Sequence, residues 1–150
     1  MPQSLASILV HLIFSTKERC PLIRPPVEDE LHRYLAGVCD NAGCHAYRIG
    51  GAEDHVHILF RLSRTKAVSD LVEEVKTASS KWIKTKGEAY QGFSWQNGYG
   101  AFSIGQSQKG AVEQYIDGQK AHHARRDFKA EFRAFLRRYQ VEYDERYVWD

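Results

Sequence analysis

The chain has 150 residues, of which 43% are hydrophobic and 12% aromatic, and a formal net charge of +2. That is enough for one compact domain, residues 1–150, and leaves no room for a second full one. The mildly basic balance is by itself weak evidence for a nucleic-acid partner, so local clustering must carry any such argument. No apolar run approaches the roughly 18 residues of a membrane span. Three cysteines (Cys20, Cys39, Cys44) and no leader-like opening segment lead to the expectation of a reduced, cytoplasmic protein.

In chain order, "ASILVHLIFST" (6–16) is apolar on both faces, as a central strand covered by helices must be, with His11 its one polar interruption. "PPVEDELHRYLAGVCDNAG" (25–43) opens with prolines and acids that suit a helix N-terminus. It then repeats Val27, Leu31, Tyr34, Leu35 and Val38 at helical spacing until Asn41 and Gly43 stop it. "CHAYRIGG" (44–51) and "DHVHILFRL" (54–62) read as two strands of a hairpin separated by glycines and acids. A second helix over 66–87 carries Val68, Leu71, Val72, Val75, Ala78 and Trp82 on one stripe.

Asn97-Gly98 predicts a tight turn, followed by a short strand through Ala101, Phe102 and Ile104 that has the character of an edge strand. Ser107 is placed to cap a helix over 108–124, whose apolar stripe is weak. The last helix, 127–140, has a strong stripe of Phe128, Phe132, Phe135, Leu136 and Tyr139. The order β-α-β-β-α-β-α-α predicts an α+β fold, a ferredoxin-like α/β sandwich with a central antiparallel sheet and helices packed on it.

Alternation along the strand at 54–62 puts Val56, Ile58 and Phe60 on one face and His55, His57 and Leu59 on the other. Two imidazoles roughly 7 Å apart at their Cβ atoms can both reach one metal ion. A His-x-His pair by itself is also compatible with two hydrogen-bonded histidines on a sheet. Further polar groups are sought in "EQYIDGQKAHH", where Tyr115 and Gln119 stand at i and i+4 on one helix face.

Read together, "HLIFSTKER", "DHVHILF", "WQNGYGAFS", "YIDGQKAHH" and the closing "YDERYVW" resemble, in order and over nearly the whole chain, segments of the IS200-like insertion-sequence transposases. These carry a histidine-hydrophobic-histidine motif and a single catalytic tyrosine, and the REP-associated tyrosine transposases are close relatives. The resemblance implies that His55 and His57 bind a divalent metal, that Gln119 is the third protein ligand, and that Tyr115 is the nucleophile. The implied activity is metal-dependent cleavage and rejoining of single-stranded DNA at insertion-sequence or hairpin ends through a covalent 5′-phosphotyrosine. A homodimer is implied too, with cis and trans placement of the tyrosine helix both open.

The chemistry accords with those residue types. Phosphodiester cleavage needs an in-line nucleophile and a cation that neutralises charge on the non-bridging oxygens. A phosphotyrosine link conserves the phosphodiester energy, so no nucleotide cofactor is expected, and no Walker-type glycine loop is present. Two imidazoles and an amide oxygen form a neutral ligand set that favours Mg2+ or Mn2+, with no carboxylate assignable to the site from sequence. Cys39, Cys44 and His45 form a conceivable separate zinc cluster lacking a fourth ligand, against the simpler reading of buried cysteines.

Lys17, Arg19 and Arg24 after the first strand, Lys81, Lys84 and Lys86 at the end of the second helix, and Lys120, Arg125 and Arg126 after the tyrosine are available for phosphate contacts, with a plain solvated face the competing reading for the helix lysines. Trp95 or Tyr99 is available to stack on unpaired bases, with core packing the competing role. The alternative function is a domesticated, non-catalytic nucleic-acid-binding protein of the same fold, which binds without forming a covalent adduct.

Overall fold

The computed structural model describes residues 2–150. Four strands, β1 (Leu9–Ser15), β2 (Ala46–Ala52), β3 (His55–Arg61) and β4 (Gly100–Ile104), form one sheet in the order β2-β3-β1-β4. Every neighbouring pair is antiparallel. With α1 (Val27–Asn41) and α2 (Val68–Ile83) as the two crossovers, this is the predicted α+β, ferredoxin-like sandwich. The C-terminal part adds α3 (Lys109–Asp117), α4 (Gln119–Arg125) and α5 (Phe128–Arg138).

The sheet is covered on both faces, and the period of two decides what each face contains. Val10, Leu12 and Phe14 of β1 and Val56, Ile58 and Phe60 of β3 pack with Leu31, Leu35 and Cys39 of α1 and Leu71, Val75 and Ile83 of α2. The odd-numbered residues of the same strands face α3–α5. There Ile13 joins Phe102, Phe128, Phe132, Phe135 and Leu136, while Leu9 and Leu59 join Ile104 and Ile116. All seven residues of β1 are buried, which accounts for its unbroken apolar character.

The turn between α2 and β4 is held both by the Lys76 side chain and by its own backbone, Gln96 N–H donating to the Ser15 carbonyl and the N–H groups of Asn97 and Gly98 to the Asp150 carbonyl. Lys76 Nζ donates to the carbonyls of Gln96 at 2.7 Å, Asn97 at 3.2 Å and Gly98 at 2.6 Å. Trp95, one of the two stacking candidates, is buried, and its Nε1–H donates to Ser79 Oγ at 2.9 Å. Its role here is packing, edge-on to Phe14 and Phe93. Tyr99 is exposed beside the Lys76 ammonium. β4 is an edge strand, as expected, and β2 is the other.

Three local expectations change. Gly50 and Gly51 lie inside β2 rather than in the hairpin turn, which is the two-residue Glu53-Asp54 link. Ser107 does not cap α3; a short 3-10 turn at Gln106–Gln108 precedes that helix, and Gln108 stands at its N-cap. The helix expected over 108–124 breaks at Gly118, whose N–H turns back to the carbonyls of Gln114 and Tyr115. Glycine is among the weakest helix formers, and the break lets α4 start in a new direction. Among the described residues, no helix is long and apolar enough to cross a membrane.

Candidate active site

The site is built on the α3–α5 face of β1 and β3. His55 and His57 project from β3, and His11 projects from β1 onto the same face, diagonal to His57 because His11 is paired with Leu59 and His57 with Ile13. All three imidazoles are at most 1% exposed. From above, α3 brings Tyr115, the first residue of α4 brings Gln119, and α5 brings Glu131.

Glu131 is the hub. Its Oε1 accepts from His57 Nε2 at 3.1 Å and lies 3.6 Å from His55 Nε2. Its Oε2 accepts from Gln119 Nε2 at 2.9 Å and from Tyr115 Oη. The Gln119 amide is thereby oriented, so its Oε1 faces His55 Nε2 at 2.7 Å. Behind the histidines, Asp54 Oδ1 lies 2.7 Å from His55 Nδ1, and His11 Nε2 lies 2.8 Å from His57 Nδ1.

These contacts set the charges. Burial works against a charged His55, yet the hydrogen bonds to Asp54 and Gln119 and the nearby Glu131 carboxylate raise its pKa above 6.5 overall. Burial dominates at His57 and lowers its pKa. Burial also dominates at His11, helped by His57, and pushes it down to about 3. Both rings are therefore neutral: His57 donates from Nε2 to Glu131 and accepts at Nδ1 from His11. Glu131 is held well below the carboxylate range, its burial outweighed by the donors His57, Tyr115 and Gln119. Tyr115 is pushed above its ordinary value by burial and by the adjacent Glu131 charge, so its hydroxyl is protonated.

The residues fit a divalent cation. Ligand atoms of His55, His57 and Glu131 lie within 4.8 Å of one another, and Asp54, His55 and His123 form a second such group sharing His55. Metal-binding imidazoles normally have the far ring nitrogen engaged by a hydrogen-bond partner; Asp54 takes that place as acceptor behind His55, and His11 stands at Nδ1 of His57, so both Nε2 atoms aim inward. The expectation that no carboxylate stands at the site is corrected, because Glu131 lies in the cluster. Cys39 and Cys44 are buried in the opposite core while His45 is exposed against Asp40, so those three do not converge.

The structure thus brings together His55, His57, Tyr115 and Gln119, all four read from the sequence. His11, Asp54 and Glu131 were not assigned. A polar residue interrupting the apolar run of β1, and a glutamate within the stripe Phe128-Glu131-Phe132-Phe135, are the signals that mark two of them. Of the basic residues, Lys120 pairs with Glu28 and lines a cleft with Arg24 and His123 beside the site. Arg19 donates to the Trp149 carbonyl at 2.9 Å. Lys81 and Lys84 ride on and just beyond α2, across the sheet from the histidines. Lys17 follows β1, and Arg125 and Arg126 close α4.

A central antiparallel sheet thus carries a His-x-His pair beneath the helix that bears Tyr115. The sequence profile of the IS200-like transposases matches residues 4–119, well over half of the chain, and the chain belongs to that family. It is 25% identical over 114 residues to the ISDra2 transposase TnpA of Deinococcus radiodurans, covering 73% of this chain and 81% of the relative. Two solved structures share the fold. A candidate transposase from Deinococcus radiodurans R1 matches with a TM-score of 0.62 and 23% identity, over 79% of this chain and 98% of that one. A REP-associated tyrosine transposase bound to a REP hairpin matches with a TM-score of 0.59 and 12% identity, over 82% of this chain and 72% of that one.

Proposed function

We propose that this transposase cleaves and rejoins single-stranded DNA through Tyr115, with a divalent cation, Mg2+ or Mn2+, held by His55, His57 and Gln119. The observation that carries the reading is the convergence of Tyr115 Oη and the inward-facing imidazoles on one buried cluster of polar groups. The cation would polarise the scissile phosphate and offset charge on its non-bridging oxygens. Tyr115 Oη attacks phosphorus in line, the Oη–P bond forms as the P–O3′ bond breaks, and the 3′-oxygen leaves, taking up a proton from solvent to become a hydroxyl. The tyrosine proton passes to the Glu131 oxygen that already accepts its hydrogen bond. A 3′-hydroxyl reverses the same step to join strands, with no nucleotide consumed.

Tyr115 needs this setting because its hydroxyl is held above the ordinary tyrosine range, so positioning rather than prior ionisation must supply the rate. The DNA partner is proposed to be a single strand with a hairpin end, the kind of ligand that the structurally similar REP-associated transposase binds. Arg24 and Lys120, which line the cleft with His123, are the first candidates for its phosphates, followed by Arg125 and Arg126 at the end of α4 and Lys17 and Arg19 after β1. A homodimer is proposed to form along the open edge of β4. Within one chain, Tyr115 already meets the histidines, so the cis arrangement is the one assigned to it here.

The test is to incubate protein with labelled single strands from the DNA flanking its gene and look for a denaturant-resistant adduct. Wild type forms it, and Tyr115→Phe abolishes it while binding the hairpin within about twofold of wild type. Adduct from Tyr115→Phe overturns the nucleophile assignment. Hairpin binding with no adduct from either protein favours the non-catalytic binding reading.

A further inference from the structure

We propose that Glu131 is a fourth protein ligand of the metal, binding through Oε1 while Oε2 keeps hold of Tyr115, so that one carboxylate joins the ion to the nucleophile. The proposal deepens the assignment of His55 and His57 as metal ligands and rests on it. The two oxygens of Glu131 have separate surroundings: Oε1 faces only imidazole nitrogens, at 3.1 Å from His57 Nε2 and 3.6 Å from His55 Nε2. Oε2 faces only Tyr115 Oη and Gln119 Nε2.

Donor atoms on neighbouring positions around a small divalent cation sit about 3 Å apart, as follows from bonds of about 2.1 Å at right angles. The distances from Oε1 to the two Nε2 atoms, and the 2.7 Å from His55 Nε2 to Gln119 Oε1, bracket that spacing. His55, His57 and Glu131 thus form one group of ligand atoms with Gln119 Oε1 beside His55, and Glu131 is the anionic member of the four. It is 4% exposed in a helix otherwise packed with phenylalanines. Its charge is met by donors on His57, Tyr115 and Gln119, and a cation bound at Oε1 would replace the His57 donor with a full counter-charge.

The consequence is a ligand set of two imidazoles, an amide oxygen and a carboxylate, in which the added negative charge raises affinity for the ion. Carboxylate with imidazole suits Mn2+ better than a strongly hydrated Mg2+, so Mn2+ is expected to bind more tightly. Glu131 also gives the tyrosine its bearing relative to the metal. Oε2 holds Oη while Oε1 faces the imidazoles, and α5, packed through Phe128, Phe132 and Phe135, holds the carboxylate in place.

The experiment measures Mn2+ binding to the purified full chain by electron paramagnetic resonance of the free ion, together with anomalous diffraction from Mn2+-soaked crystals. Glu131→Gln, nearly isosteric, should weaken Mn2+ binding at least about tenfold, consistent with the cost of losing groups that tune a metal site. Glu113→Gln removes an equal charge from the surface pair with Arg48 and should leave affinity within about twofold. Thermal melts in chelator establish that each variant is folded. Anomalous density should lie within about 2.4 Å of Glu131 Oε1. An ion on His55 and His57 but beyond contact with Glu131, with unchanged affinity in Glu131→Gln, overturns the fourth ligand and leaves the histidine site standing. Unchanged affinity in His55→Ala and His57→Ala, with no density between the imidazoles, overturns the histidine site itself.

Discussion

Gly50 sits in β2 directly beneath the tyrosine helix, and replacing it with alanine tests how closely that helix must dock. An added Cβ would lie 2.7 Å from Ile116 Cγ2 and 2.7 Å from the Ile116 carbonyl oxygen, against ordinary contact starting at 3.4 Å. The methyl can rotate away, but the carbonyl belongs to the backbone of α3, so the helix must withdraw by about 0.7 Å or the edge strand must bend. Ile116 is wedged with Leu9, Leu59 and Ile104, which leaves it little room to yield sideways. Overpacking of this kind costs about 1–3 kcal/mol. At roughly 2–4 °C per kcal/mol for a domain of this size, the melting temperature should fall by roughly 2–12 °C.

Tyr115 is the neighbour of Ile116 and moves with it, and a displacement approaching 1 Å at a reacting atom costs on the order of 10- to 100-fold in rate. Differential scanning fluorimetry and single-turnover adduct formation read the two effects separately. Gly37→Ala, where a Cβ meets nothing within 4 Å, is the control and should not lower stability. Wild-type melting temperature and wild-type rate in Gly50→Ala would show that α3 is not held against β2 as described.

Two further expectations concern stability away from the site. Ser79 Oγ donates to the Val75 carbonyl at 2.6 Å and accepts from Trp95 Nε1 at 2.9 Å in a fully buried setting. Ser79→Ala leaves the indole N–H unpaired and should cost about 1–3 kcal/mol, read as a lower urea midpoint with unchanged slope; a midpoint matching wild type would refute the role of that bond. His32 is held below 6.5, mainly by burial and despite Glu28, and its Nε2 is buried with no partner among the described residues. As pH falls below 6.5 the unfolded chain takes up a proton that the folded chain refuses, so stability should decline through that range. His32→Gln should flatten the decline measured by urea unfolding between about pH 7 and 5, and an identical slope in both proteins would count against it.

Within the site, two kinds of information separate. Strand periodicity places His55 and His57 on one face, and the i, i+4 spacing of Tyr115 and Gln119 places them together, because both rules follow from backbone geometry alone. Gly118 then breaks the helix between them, yet the pair still converges, since Gln119 begins α4 where Tyr115 ends a turn of α3. The family resemblance assigned their roles, and the match over residues 4–119 bears out the family.

Composition and period also determined the order of elements, the covered central strand and the edge position of β4, each a property of local side-chain pattern. They could not determine which helix lies over the histidines, since a stripe shows that a helix has a buried face without showing what it is buried against. Only the tertiary structure set α5 over β1 and β3, and so made a glutamate in a phenylalanine stripe the partner of Tyr115, Gln119 and His57. It likewise turned the polar interruption of β1 into the group behind His57, because a diagonal pairing across two strands depends on a register that no single strand contains.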